Sequence, residues 1–132
     1  MRILIVDDDL DSIKLISSYL SPLGECDHAA NGEEAIELYV QSFEEGQPYD
    51  LVCLDIMMPH LDGQAALKMI RGIEAQNGVR LGKGAKIVMT TALSDNRNQL
   101  RSFMSLCDAY LVKPFDKETL IDTLRQVELI SA

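Results

Sequence analysis

Ile3-Leu4-Ile5-Val6-Asp7-Asp8-Asp9 and Leu51-Val52-Cys53-Leu54-Asp55 decide the fold of this chain. Each is a short apolar run that stops abruptly on carboxylates. Apolar runs of this length without alternation predict strands buried on both faces, and such strands belong to parallel sheets covered by helices. Arg2–Val6 is therefore read as a first strand and the three Asp as the start of a helix. Leu10, Ile13, Ile16 (or Ser17) and Leu20 continue at helical spacing until Pro22 and Gly24 stop the pattern.

Outward from these runs the same alternation repeats. Glu25–Ala29 reads as a second strand and Asn31-Gly32 as a turn. A helix from Glu33 to about Glu45 is expected to set Ile36, Val40 and Phe43 on one face. After Asp62-Gly63, Ala66, Leu67, Ile70 and Ile73 mark another helix. Asn77–Lys86, with three Gly and three cations in ten residues, reads as a loop longer than the two to six residues usual at such links. Ile87–Thr90 and Tyr110–Val112 are strands. Ser94 to about Leu106 is a helix with a Ser or Asp cap, and Asp116 to Leu129 a last one burying Leu120, Leu124 and Val127. Five strands alternating with five helices predict an α/β fold, a doubly wound five-stranded parallel sheet, in one domain spanning 1–132.

The 132 residues carry 12 Lys plus Arg against 21 Asp plus Glu, a net charge of −9. That balance disfavours nucleic-acid binding, which needs clustered cations. No apolar run approaches the roughly 20 residues of a membrane-spanning helix, and Asp7, Asp8 and Asp9 end the first run too early for a signal peptide. Cys26, Cys53 and Cys107 are odd in number and lack CxxC spacing, which points to reduced thiols in a cytoplasm.

Sheets of this kind bind ligands beyond the carboxyl ends of their strands. There stand Asp7 and Asp8, Asp55, Thr91 and Lys113. Neighbouring first and third strands would bring three carboxylates together, and their repulsion calls for a cation. Hard oxygen donors without His or Cys favour Mg²⁺. With Lys113 and the Thr91 hydroxyl the set suits phosphoryl transfer, one Asp attacking phosphorus to give an acyl phosphate. Singly, each residue has a plainer reading: Asp9 (or Asp8) as a helix cap, Asp62-Gly63 as a turn, Lys113-Pro114 as a strand exit. It is the set that argues for chemistry. His28 and His60 are isolated, and Gly78, Gly82 and Gly84 form no phosphate-binding loop.

Ile5-Val6-Asp7-Asp8-Asp9, Asp50–Pro59, Asp62-Gly63, Thr91-Ala92 and Tyr110–Phe115 together resemble the receiver domain of two-component response regulators, over Ile3 to Leu129. The resemblance implies the strand order 2-1-3-4-5 and a chemotaxis-receiver-like phosphoprotein acting in phosphorelay signal transduction. It makes Asp55 the phosphorylated residue, Asp8 a direct Mg²⁺ ligand, Asp7 its partner through water, and the Met57 carbonyl a further ligand. Thr91 would turn its hydroxyl to the phosphoryl group, Lys113 would pair with it across a cis Lys113-Pro114 bond, and Tyr110 would act as an aromatic switch. The phosphodonor would be a sensor histidine kinase or phosphotransfer protein, and the output a contact with an unknown downstream protein. Such a domain is no enzyme towards other substrates; it catalyses its own phosphorylation and dephosphorylation. Apolar Met57 and Leu93, two residues beyond Asp55 and Thr91, would orient no attacking water and so prolong the phosphorylated state.

Two rivals are open. An aspartyl-phosphate hydrolase or phosphotransferase usually has a second Asp two residues past the nucleophile, where this chain has Met57. A receiver piece of a larger regulator or hybrid kinase is the other; Met1 directly before the first strand favours a stand-alone protein.

Overall fold

The computed structural model describes residues 1–58, 61–92 and 106–131. In chain order the elements are β1 (Arg2–Val6), α1 (Leu10–Leu20), β2 (Glu25–Ala29), α2 (Gly32–Glu44), β3 (Leu51–Asp55), α3 (Gly63–Gln76), β4 (Lys86–Ala92), β5 (Ala109–Lys113) and α4 (Lys117–Gln126). The helix expected from Ser94 to Leu106 lies outside the described residues, save Leu106 itself, so four of the five expected helices are described. The strands form one parallel sheet in the order β2-β1-β3-β4-β5.

Why the strands lack alternation is visible in the core. Leu4, Val6, Val52, Leu54, Ile87 and Met89 face one side, against Ala35 and Tyr39 of α2 and Ala66, Leu67 and Ile70 of α3. Their neighbours Ile3, Ile5, Leu51, Cys53 and Val88 face the other, against Ile13, Ile16 and Leu20 of α1 and Leu120 and Leu124 of α4. Both faces of each central strand are dry, so every position must be apolar. Each fully buried aliphatic side chain contributes roughly 1.5–3 kcal/mol.

Each described helix opens on a side chain that satisfies an orphan amide. Asp9 accepts from Asp11 N, Asn31 from Glu34 N, Asp62 from Ala65 N and Asp116 from Thr119 N. The exit of α4 is unusual. Leu129 N donates to Leu124 O and Glu128 N to Arg125 O, a Schellman closure that puts Glu128 at φ 63°, where glycine is the usual residue.

The structure corrects three helix readings. Leu10 is 58% exposed, and α1 buries only Ile13, Ile16 and Leu20. The inward face of α2 is Ala35, Tyr39 and Ser42, with Val40 exposed and Ile36 and Phe43 flanking. The last helix stops at Gln126, not Leu129, with Val127 as its cap. The α2 shift follows from Glu74 on α3, which is buried and takes a hydrogen bond from the Tyr39 hydroxyl. Glu74 also accepts from Ala85 N and pairs with Arg71 at 2.8 Å. Arg71 reaches on to Ala85 O, Leu106 O and Asp108. Tyr39 must turn inward to complete this network, because a buried carboxylate is costly unless paired.

Candidate functional site

The carboxylates gather where β1 and β3 end side by side. Asp7 and Asp8 follow β1 and Asp55 is the last residue of β3, so the register Val6 to Leu54 leaves the chain ends adjacent. One carboxylate oxygen from each of Asp7, Asp8 and Asp55 lies within 4.8 Å of the others. Asp7 is 1% and Asp55 6% exposed, whereas Asp8 lies at the surface.

Local hydrogen bonds aim these side chains. Asp7 Oδ1 accepts from Asp9 N at 2.9 Å, so the residue that caps α1 also orients its neighbour. Asp55 Oδ1 accepts from Met57 N at 3.3 Å. The Asp55 backbone is wedged by Gly63: a Cβ there would sit 2.1 Å from the Asp55 carbonyl oxygen. Reading Asp62-Gly63 as turn chemistry missed this contact; a glycine at the first position of a helix was the available signal.

Lys113, at the end of β5, is the cation of the site among the described residues. Its Nζ is 2.6 Å from Asp7 Oδ2 and 3.7 Å from Asp55 Oδ2. The Lys113-Pro114 peptide is cis, as expected. Burial opposes the lysine's charge, but the Asp7 hydrogen bond and the Asp55, Asp7 and Asp8 carboxylates together hold its pKa above the ordinary value. The Asp55 pKa is pushed up to about 7, first by burial and further by Asp7 and Asp8, against the opposing pull of Lys113 and the Met57 amide.

Three carboxylates facing one ammonium leave excess negative charge in a partly buried pocket. A hard divalent cation with oxygen preference fits that donor set, and among the described residues no thiol or imidazole belongs to it.

The other expected residues are close in topology. Thr91 is buried near the end of β4, one residue past Thr90, which pairs with Asp55 in register. Its hydroxyl donates to Ala92 O at 3.2 Å. Tyr110 is 44% exposed on edge strand β5, level with Met89. Met57 is 58% exposed beside the site. Leu93 and His60 lie outside the described residues, and His28 is on the surface of β2, away from the cluster.

Comparisons with known proteins find relatives over nearly the whole chain. The regulatory protein VanRB of Enterococcus faecalis is 34% identical over 131 residues, covering 98% of this chain and 52% of that protein. The probable transcriptional regulatory protein SilR of Salmonella typhimurium is 34% identical over 126 residues, 95% of this chain and 50% of the relative. The chain thus spans about half the length of these relatives. It covers 95% of the chemotaxis protein CheY of Halobacterium salinarum, with 33% identity over 127 residues and 96% of this chain aligned. Among solved structures, the receiver domain of the histidine kinase CKI1 from Arabidopsis thaliana, complexed with Mg²⁺ and BeF₃⁻, matches with TM-score 0.79 at 29% identity. That match covers 98% of this chain and 90% of the other. Chemotaxis protein CheY4 of Vibrio cholerae matches with TM-score 0.75 at 26% identity, over 96% and 97% of the two chains. The response regulator receiver domain pattern runs through residues 3–125, and the chain belongs to that family.

Proposed function

We propose that this receiver domain takes a phosphoryl group on Asp55, with Mg²⁺ held by Asp7, Asp8, Asp55 and the Met57 carbonyl. The observation that carries the reading is the convergence of three carboxylates, one of them buried Asp55, within reach of Lys113. A bound Mg²⁺ supplies the positive charge that lets these carboxylates and the incoming phosphoryl oxygens share one pocket. Asp55 presents an Oδ atom to phosphorus; the bond between phosphorus and the donor's imidazole nitrogen breaks, and an acyl phosphate forms on Asp55. Lys113 moves its charge from Asp7 towards the new phosphoryl oxygens, a shift of the kind its 2.6 and 3.7 Å contacts already span. The Thr91 hydroxyl turns to the same group and Tyr110 follows, biasing a two-state equilibrium that a protein partner reads.

The phosphodonor in this reading is a sensor histidine kinase or phosphotransfer protein, and the output is a protein contact. Residues 1–132 act as one receiver unit that catalyses its own phosphorylation and dephosphorylation. The net charge of −9 supports a protein rather than a nucleic-acid partner. The free cysteines Cys26, Cys53 and Cys107 support a reducing, cytoplasmic setting, and no described helix is long and apolar enough to cross a membrane.

Intact-protein mass spectrometry after incubation with acetyl phosphate tests the assignment. One added phosphate is expected, dependent on Mg²⁺ and absent from Asp55→Asn. Equal modification of Asp55→Asn would overturn it.

A further inference from the structure

The long link between α3 and β4, residues 77–85, lies outside everything assigned above, yet it is firmly built. Val79 N donates to Glu74 O and Ala85 N to the buried Glu74 carboxylate. Gly84 presses on that carboxylate so closely that a Cβ would fall 2.1 Å from it. Lys83 N donates to Arg80 O at 2.9 Å, closing a turn whose third residue, Gly82, has φ +86°. A turn of this type requires glycine there and lifts its second residue, Leu81, to the tip.

Leu81 is 79% exposed, more than any other large apolar side chain among the described residues. It stands between exposed Arg80 and Lys83, neither of which forms an ion pair among the described residues. In a chain of net charge −9, no acidic residue occurs between Glu74 and Asp95. The tip is thus an apolar knob flanked by two uncompensated cations.

The same chain carries the complement. A cleft of about 320 Å³ lies between edge strand β2 and α2, with Leu38 and Tyr49 among its lining and Asp27, Glu34 and Glu45 beside them. Arg2 neutralises Asp27 at 2.9 Å and covers the Tyr49 ring. Glu34 accepts only from Ala30 N and Glu45 from Gln41, so neither is paired with a cation among the described residues. Eleven positions apart on a rise of 1.5 Å, they stand about 16 Å from each other along α2. An acidic cleft with a partly apolar lining, large enough for a leucine side chain, matches a leucine flanked by cations.

We infer that the Leu81 turn of one molecule docks in the α2–β2 cleft of a second copy of this chain, Arg80 and Lys83 meeting Glu34 and Glu45. The repulsion between two molecules of charge −9 does not forbid this. At physiological salt the Debye length is about 8 Å, so overall repulsion is screened while contacts of a few ångströms persist. The joined area is small, which places the contact among weak, reversible ones.

Sedimentation equilibrium of the intact chain at about 150 mM salt, from about 10 µM to 1 mM, reads the result directly. The weight-average mass is expected to rise above the 14.7 kDa monomer with concentration, and to fall back towards it in 0.5 M salt. Leu81→Asp, at an exposed position outside the glycine conformations, should hold the protein monomeric. Arg80→Glu/Lys83→Glu and Glu34→Lys/Glu45→Lys should each be monomeric alone and associate when mixed, with circular dichroism confirming that both are folded. A constant monomer mass overturns the inference and leaves the knob to a different protein. Association that survives Leu81→Asp overturns it in favour of another surface. Failure of the mixed charge-reversed pair overturns the cleft as the partner.

Discussion

Asp55 and Asp7 show how far one residue's environment departs from its neighbour's. Asp7 has both oxygens engaged, by Asp9 N and Lys113. Asp55 is buried with one amide contact at 3.3 Å, and its pKa is raised to about 7. Unfolded, an Asp titrates near 4. The folded chain therefore binds this proton more tightly, so the associated stability is complete below about pH 4 and is lost as pH rises through 7. Urea midpoints measured with a chelator from pH 4 to 8 should fall for the parent relative to Asp55→Asn, and Mg²⁺ should remove the difference. A gap independent of pH would show that the buried carboxyl is not its source. The same contacts rank the acids as metal ligands. Exposed Asp8 forms no ion pair among the described residues, whereas Asp7 is held by Lys113 at 2.6 Å, so Asp8→Ala should weaken Mg²⁺ binding more than Asp7→Ala, and titration of the two variants with Mg²⁺ measures the ranking.

Among the elements, the central strands were legible because both of their faces are dry. Arg2–Val6 and Glu25–Ala29 begin and end where the residue pattern puts them, and Lys86–Ala92 runs only slightly past its apolar run. Helix faces were less so. In α2 the residues Ile36, Val40 and Phe43 are more apolar than Ala35, Tyr39 and Ser42, but the Tyr39 bond to Glu74 turns the second set inward. A long-range polar contact of this kind leaves no periodic trace. Nor does the exit of α4, where Glu128 adopts a left-handed conformation that costs an L-residue about 1 kcal/mol or more. Glu128→Gly removes that cost and should stabilise the protein by about 0.5–1 kcal/mol, allowing for glycine's greater freedom when unfolded. Thermal unfolding would register it as a rise of a few degrees in Tm. An unchanged or lowered Tm would mean that the Glu128 side chain contributes as much as its backbone costs.

Across the whole molecule, the site was readable because the fold converts three distant strand ends into neighbours. Asp7, Asp8, Asp55 and Lys113 were all named by their positions after apolar runs, and the sheet order brings them together. The order itself is not encoded in any one run. The two-state reading places the response along β4 and β5, so amide exchange with Mg²⁺ and beryllofluoride should slow or quicken most over residues 91–92 and 106–113 of the described chain. A change confined to residues 77–85 would count against that path. The Lys113–Asp7 contact closes 106 residues of chain. Until β5 has been synthesised and docked on β4, the acidic pocket lacks the Lys113 ammonium that tempers it. Under the proposed function, a nascent polypeptide displays Asp55 early but remains deaf to a phosphodonor, and receptivity begins only once β5 has docked.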